Sequence, residues 1–156
     1  MALSKLDNLY RHVILDHSSH PHHRGTLTES TNKIEMNNPT CGDVIELQVE
    51  IKDGKINNIA FDGSGCSIST ASASMMTDAV IGKTIAEAEQ LTDDFLLLVQ
   101  GKEVADLEPL GDAAMLSGVA KFPARIKCAT LAWKALGKAM EEDGTATVHH
   151  EHKEKE

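Results

Sequence analysis

The chain has 156 residues, of which 41% are hydrophobic and 25% charged, a composition typical of one folded domain and not of a disordered or low-complexity chain. Its net charge of −9 and its aromatic content of 3% argue against a nucleic-acid partner, because an acidic surface repels phosphates and few rings are available for stacking. No segment reaches the ~18 apolar residues of a membrane span, and no signal peptide begins the chain. We therefore expect a cytoplasmic protein with no membrane partner and with reduced thiols.

The first predicted element is an amphipathic helix over residues 3–17, where apolar residues recur at helical spacing. Residues 32–37 are predicted as a strand. Residues 43–62 show the clearest pattern, since apolar and polar side chains alternate on both sides of Asp53 and Gly54. A tight turn at this dipeptide makes the segment an antiparallel hairpin with one solvent-exposed face.

Helices are predicted through the second half of the chain. Cys66 follows a glycine-rich loop and begins one helix, and Thr84 with Glu87 forms a capping box for the next. The predicted elements are helices over about 66–80 and 84–101, a loop over 102–111, a short helix over about 112–119, and a last helix that begins at Pro123.

This order of elements predicts an α+β fold. About three antiparallel strands form a sheet, and the helices pack together on one of its faces. Residues 1–143 are predicted to form a single domain. Residues 144–156 are predicted to be a charged, disordered tail.

Three cysteines are the main candidates for chemistry. Cys41 lies in the loop sequence NPTCGDV, two residues before Asp43, and Cys66 lies where a loop enters a helix, a position that stabilises a thiolate. Cys128 lies within the last helix. Three thiolates and one carboxylate suit Zn²⁺, and thiolates also hold iron–sulfur clusters. The alternative is three separate core cysteines, because the spacing is not that of a CxxC pair and free cysteine is often buried.

A longer motif surrounds these cysteines. The segment PTCGDVIELQVEIKDGKINNIAFDGSGCSISTASASMM resembles the IscU/NifU-like family of iron–sulfur cluster assembly proteins, as do the first helix and the sequence IKCATLAW around Cys128. The resemblance covers roughly residues 5–140. Lys127 replaces the histidine of IscU-type scaffolds, and the stretch from Cys66 to Cys128 is longer than theirs, two features similar to the SufU branch.

The resemblance implies both a metal and a reaction. In SufU-like proteins the residues that match Cys41, Asp43, Cys66 and Cys128 bind zinc, and the residue that matches Cys41 accepts persulfide sulfur. The implied sulfur donor is a SufS-type pyridoxal-phosphate cysteine desulfurase, and the implied recipient is a downstream iron–sulfur scaffold or apo acceptor. The chain would then be a zinc-dependent sulfurtransferase component, not a stand-alone enzyme.

Two other interpretations stay open at this point. The chain could be a scaffold on which a transient [2Fe–2S] cluster is assembled by the same four residues. It could also be a structural zinc-binding module that only mediates protein contacts. Arg125 and Lys127 flank Cys128 and are predicted to offset the charge of the gathered thiolates, with a solvated helix face as the alternative.

Histidines and large apolar residues complete the candidates. Residues 17–23, HSSHPHH, are predicted to form a surface loop, with a partner contact or a metal site as alternatives. The histidines of the tail, His149, His150 and His152, are predicted to be solvated and able to bind metal adventitiously. Met75, Met76 and Trp133 are predicted to be core residues.

Overall fold

The computed structural model describes residues 2–27, 32–38, 42–104 and 106–142, and of these the side chains of residues 11–27, 32–38, 42–104 and 106–140. The elements are α1 (Ala2–Ser19), β1 (Asn32–Asn38), β2 (Asp43–Lys52), β3 (Lys55–Ser64), α2 (Ser67–Val80), α3 (Ile85–Leu98), a 3-10 helix (Glu108–Lys121) and α4 (Pro123–Glu142). The predicted tail lies outside the described residues. No described helix combines the length and the apolar character needed to span a bilayer.

The three strands form one antiparallel sheet in the order β1-β2-β3. Asp53 and Gly54 join β2 to β3 with positive φ angles of 55° and 75°, the backbone shape whose twist matches that of a hairpin. Leu47 pairs with Phe61 and Val49 with Ile59 in register, and all four side chains are buried. The predicted strands and hairpin are confirmed, and so is the α+β class.

The predicted solvent-exposed face of the hairpin is not exposed at Gln48. The segment after α1 covers this side chain, and its Oε1 accepts a hydrogen bond of 2.8 Å from the Leu27 N–H group. The preceding residues pair with the edge of β3: Gly25 N–H donates to the Phe61 carbonyl, and Phe61 N–H donates to the His23 carbonyl. The segment after α1 therefore covers an edge that would otherwise expose unpaired backbone groups.

The core lies between the sheet and the helices. Trp133 of α4 stacks on Phe95 of α3, with ring centroids 4.5 Å apart, and its indole N–H donates to Ser72 Oγ of α2 at 3.1 Å. One side chain thus joins three helices and has its only polar hydrogen satisfied. Met75, Met76 and Trp133 are all fully buried, as predicted.

Predictions near the helices have different outcomes. The capping box is confirmed, because Thr84 Oγ1 accepts from Glu87 N–H and Glu87 Oε1 accepts from Thr84 N–H. The predicted short helix from about residue 112 is confirmed, because helical backbone resumes after Gly111, whose φ of 57° and ψ of −134° interrupt the 3-10 helix. The predicted loop over 102–111 is wrong only at its end, where a first helical turn begins at Glu108 with Pro109 at a position that suits the start of a helix.

Candidate metal centre

Asp43, Cys66 and Cys128 lie far apart in sequence but meet in the fold. Asp43 begins β2, Cys66 is the N-cap residue of α2, and Cys128 lies in the second turn of α4. One carboxylate oxygen and the two Sγ atoms all lie within 4.8 Å of one another. We call this group the thiol site.

The side chain of Asp43 is held in one position in the thiol site. Its side chain is fully buried, and its Oδ1 accepts a hydrogen bond of 2.9 Å from the Cys66 N–H group. A Cβ atom on Gly65 would lie only 2.6 Å from that oxygen. The loop can therefore pass this close to the carboxylate only with glycine at position 65.

Asn38, which the sequence analysis did not single out, lies beside the thiol site. It is buried at the end of β1, and its amide nitrogen lies 3.5 Å from Asp43 Oδ2 and 3.8 Å from Cys128 Sγ. The amide can donate to both the carboxylate and the sulfur. Only its position in the NPTCGDV loop region could have pointed to it, because the contact with Cys128 joins residues that are 90 apart in sequence.

The residues of the thiol site fit a bound cation. None of the ion pairs found among the described residues includes Asp43, so a buried carboxylate stands beside two thiols without a cationic side chain paired to it. A buried charge of this kind is costly unless it is compensated. Two sulfur donors and one carboxylate oxygen are ligand types that Zn²⁺ accepts, and the cation would supply the compensation.

Cys41 lies outside the described residues, so its predicted place in the site is not tested by the structure. Gly42, which follows it, is described, and its N–H group donates to the Asn38 carbonyl at 2.8 Å.

A surface cavity of about 400 Å³ opens beside Cys66 and is lined by Ser67, Ile68, Phe122 and Arg125. It continues as a groove over α1 and the 3-10 helix, which adds Arg11, Leu15, Met115 and Lys121 to the lining. We call this surface the Phe122 groove. Of the two predicted supporting cations, Arg125 lines the cavity, whereas Lys127 is exposed and does not.

The prediction of a surface loop over residues 17–23 is wrong for His17. Its side chain is buried because α1 packs on α2, and it makes hydrogen bonds to Ser74 and Asp112. His22 and His23 are exposed, but they also contact α2 through Asp78 and Thr77.

Comparison with known proteins identifies the family to which this fold and site belong. Residues 9–142 match the family described as "NifU-like N terminal domain". The chain belongs to this NifU-like family. The match includes Asp43, Cys66 and Cys128, and it spans all of the described strands and α2 to α4.

Two curated members of the family are similar over most of their length. The iron–sulfur cluster assembly scaffold protein IscU of Streptococcus pyogenes is 56% identical over 146 residues, which are 94% of this chain and 91% of that protein. The zinc-dependent sulfurtransferase SufU of Bacillus subtilis is 52% identical over 143 residues, which are 90% and 97% of the two chains. The predicted IscU/NifU-like family, with its SufU branch, is confirmed.

The solved structures agree on the fold. A protein from Fervidobacterium islandicum, described as a candidate iron–sulfur cluster assembly scaffold for the SUF system, superposes with a TM-score of 0.78 at 34% identity, covering 82% of this chain and 93% of that one. A nitrogen-fixation NifU-like protein of Brucella abortus gives 0.81 at 22% identity over 90% and 98% of the two chains. The chain is thus an iron–sulfur cluster assembly protein of the IscU/SufU type.

Proposed function

We propose that this protein accepts sulfane sulfur on Cys41 from a pyridoxal-phosphate cysteine desulfurase and passes it on for iron–sulfur cluster assembly. The observation that carries the proposal is the thiol site, where a buried carboxylate lies against two cysteine thiols from separate elements. The name of the Bacillus subtilis relative, a zinc-dependent sulfurtransferase, supports the same reading.

We assign zinc to Cys41, Asp43, Cys66 and Cys128. When bound, the metal would keep the thiols deprotonated and would contribute no redox chemistry of its own. The chain supplies the preorganisation: the Cys66 N–H group fixes the carboxylate of Asp43, and the amide of Asn38 faces the remaining oxygen. Such contacts behind a ligand set its orientation and affect metal affinity.

The sulfur transfer needs no oxidant or reductant. The thiolate of Cys41 attacks the outer sulfur of the donor's cysteine persulfide, and a new sulfur–sulfur bond forms on Cys41. The sulfur–sulfur bond of the donor breaks at the same time, and the donor cysteine leaves as a thiolate. A second exchange of the same kind passes the sulfur to the recipient.

The Phe122 groove is the surface on which we place the desulfurase. Phe122 is 61% exposed although it is a large apolar residue, and exposed apolar surface next to a reactive site is typical of partner binding. The cavity opens directly at Cys66, so a segment of the donor that lies in the groove would bring its persulfide to the thiol site.

The variant Cys41→Ser tests the proposal in the full chain loaded with zinc. We expect its metal-free form to keep the melting temperature of the metal-free wild type, but we expect the variant to lose both its stimulation of desulfurase turnover and the additional sulfur atom on the Cys41 peptide in mass spectrometry. The wild-type chain without desulfurase is the control for adventitious persulfide. Stimulation by Cys41→Ser at the wild-type level would refute the transfer role and would leave a module that only mediates contacts.

A metal analysis separates sulfur transfer from cluster assembly. The anaerobically purified chain, with its tail histidines replaced by alanine, should contain zinc and have no visible absorption. Iron with acid-labile sulfide, together with a cluster that reaches an apo acceptor intact, would instead support the scaffold named in the Streptococcus relative. A folded chain that binds no metal at its cysteines would support three separate core cysteines.

A further inference from the structure

We propose that His17, His22 and Asp78 form a second metal site, separate from the thiol site and suited to Zn²⁺ or a similar divalent transition ion. One ligand atom from each residue lies within 4.8 Å of those from the other two. We call this group the histidine cluster. Asp78 is twelve residues beyond Cys66 along α2, about 18 Å at the helical rise, so the two sites do not share ligands.

His17 is oriented by hydrogen bonds at both ring nitrogens. Its Nε2 lies 2.9 Å from a carboxylate oxygen of Asp112, which can only accept, so Nε2 donates and the lone pair is on Nδ1. The Ser74 hydroxyl, which accepts from the His22 N–H group at 2.8 Å, donates to Nδ1 at 2.7 Å, and a metal on Nδ1 would replace this single hydrogen bond. A carboxylate behind a histidine, on the nitrogen that does not face the metal, is the usual support of a metal-binding imidazole.

His22 and Asp78 already lie against each other, with His22 Nδ1 at 2.5 Å from Asp78 Oδ2. Two ligands on one tetrahedral zinc are roughly 3.3 Å apart, so metal entry requires this pair to separate by less than about 1 Å. The proton that His22 donates to Asp78 would be released. The metal would then lie between one buried and two solvent-accessible ligands, with an open path from solvent.

The ligand chemistry differs from that of the thiol site. Two neutral imidazoles and one carboxylate leave a coordination position open to water, and His23 Nδ1 lies 3.5 Å from the other oxygen of Asp78 as a further donor. Nitrogen and oxygen ligands suit zinc, cobalt and nickel but give no thiolate bonds. This difference makes the two sites distinguishable by spectroscopy.

Cobalt titration of the full chain tests the proposal. The parent protein carries His149→Ala, His150→Ala and His152→Ala, so that the tail cannot bind metal. We expect two Co²⁺ per chain by elemental analysis after desalting, of which only one produces a thiolate-to-cobalt charge-transfer band. His22→Ala and Asp78→Asn should each lower the count to one and leave that band unchanged.

His20→Ala is the matched control, because His20 is an exposed histidine in the same segment and lies outside the histidine cluster. It should bind two Co²⁺. A parent protein that binds only the thiolate-ligated ion would overturn the proposal, as would an unchanged count in both cluster variants. Loss of the charge-transfer band with retention of the other ion would count against the thiol site and not against the histidine cluster. Thermal unfolding curves of the metal-free variants show whether each one is folded. If one of the two cluster variants does not fold, the other still tests the proposal.

Discussion

Gly65→Ala is the substitution that most directly tests the geometry of the thiol site. The added Cβ would lie 2.6 Å from Asp43 Oδ1 and 3.2 Å from the Cβ and Cγ atoms of the same residue. Asp43 is fully buried, so it cannot move into solvent to relieve the clash. Overpacking costs about 1–3 kcal/mol, and the strained hydrogen bond from Cys66 to a carboxylate is worth about 1.5–3 kcal/mol.

We therefore expect Gly65→Ala to lose roughly 2.5–6 kcal/mol of unfolding free energy in the metal-free chain. For a domain of this size that lowers Tm by about 5–24 °C, and displacement of the carboxylate should weaken zinc at least ~10-fold in a chelator competition. Gly118→Ala is the matched control, because a Cβ there meets no atom within 4 Å. The reasoning is refuted if the two variants have the same Tm and the same zinc affinity.

Three further predictions concern the surroundings of the site. Asn38→Leu has nearly the same volume but lacks the amide donor, so zinc affinity should fall about 10- to 100-fold in the same competition; an unchanged affinity would contradict the role given to the amide. Phe122→Ala should raise the dissociation constant for the desulfurase without loss of zinc, whereas Leu107→Ala, another exposed apolar residue, should not; equal effects would exclude the Phe122 groove as the docking surface. Hydrogen bonds from the following backbone N–H group and from Arg24 hold the pKa of Asp62 below its ordinary value. The stabilisation they give is complete above the unfolded-state pKa, near 3.9, and is lost as the pH falls through the lower folded-state pKa. Urea unfolding should therefore show that Asp62→Asn is less stable than the wild type at pH 7 by at most about 1 kcal/mol, because the pair is exposed. The difference in unfolding free energy between the two proteins should disappear as the pH falls to 2. A difference that grows in acid would contradict this assignment.

The sequence predicts those elements whose signals are local. The capping box needs only residues three apart, and the hairpin needs only the alternation around Asp53 and Gly54, so both were correctly predicted. The helical turn that begins at Glu108 was not. Pro109 and Gly111 are individually typical of loops, and nothing local shows that one turn of helix precedes the interruption at Gly111.

The parts of the site that the sequence did not predict depend on contacts between distant segments. Asn38 contacts Cys128, and His17 contacts Asp112, 95 residues further along. Neither pair has a spacing that a motif could reveal. Cys41 and Cys66 were singled out because they lie at glycine-flanked edges of elements, whereas Cys128 lies within a predicted helix. The spacing left three separate core cysteines open as an alternative, and only the resemblance to a family favoured one shared metal.

The hydrogen bond from Cys66 to Asp43 explains how a strand, a helix start and a distant helix can form one ligand set. Cys66 is the N-cap residue of α2 but makes no side-chain capping hydrogen bond, so its sulfur is not occupied at the start of the helix. Its backbone N–H group donates to Asp43 Oδ1. That bond fixes one carboxylate oxygen and leaves Oδ2, on the side of Asn38, as the oxygen available to a metal. The same carboxylate also compensates the positive end of the α2 dipole. Removing Asp43 would therefore disturb both the helix start and the metal, whereas a change at Asn38 leaves the hydrogen bond from Cys66 to Asp43 in place and removes the amide from the side of Oδ2. Comparison of the metal affinity and of the metal-free stability of the two variants separates the start of α2 from the positioning of the ligand.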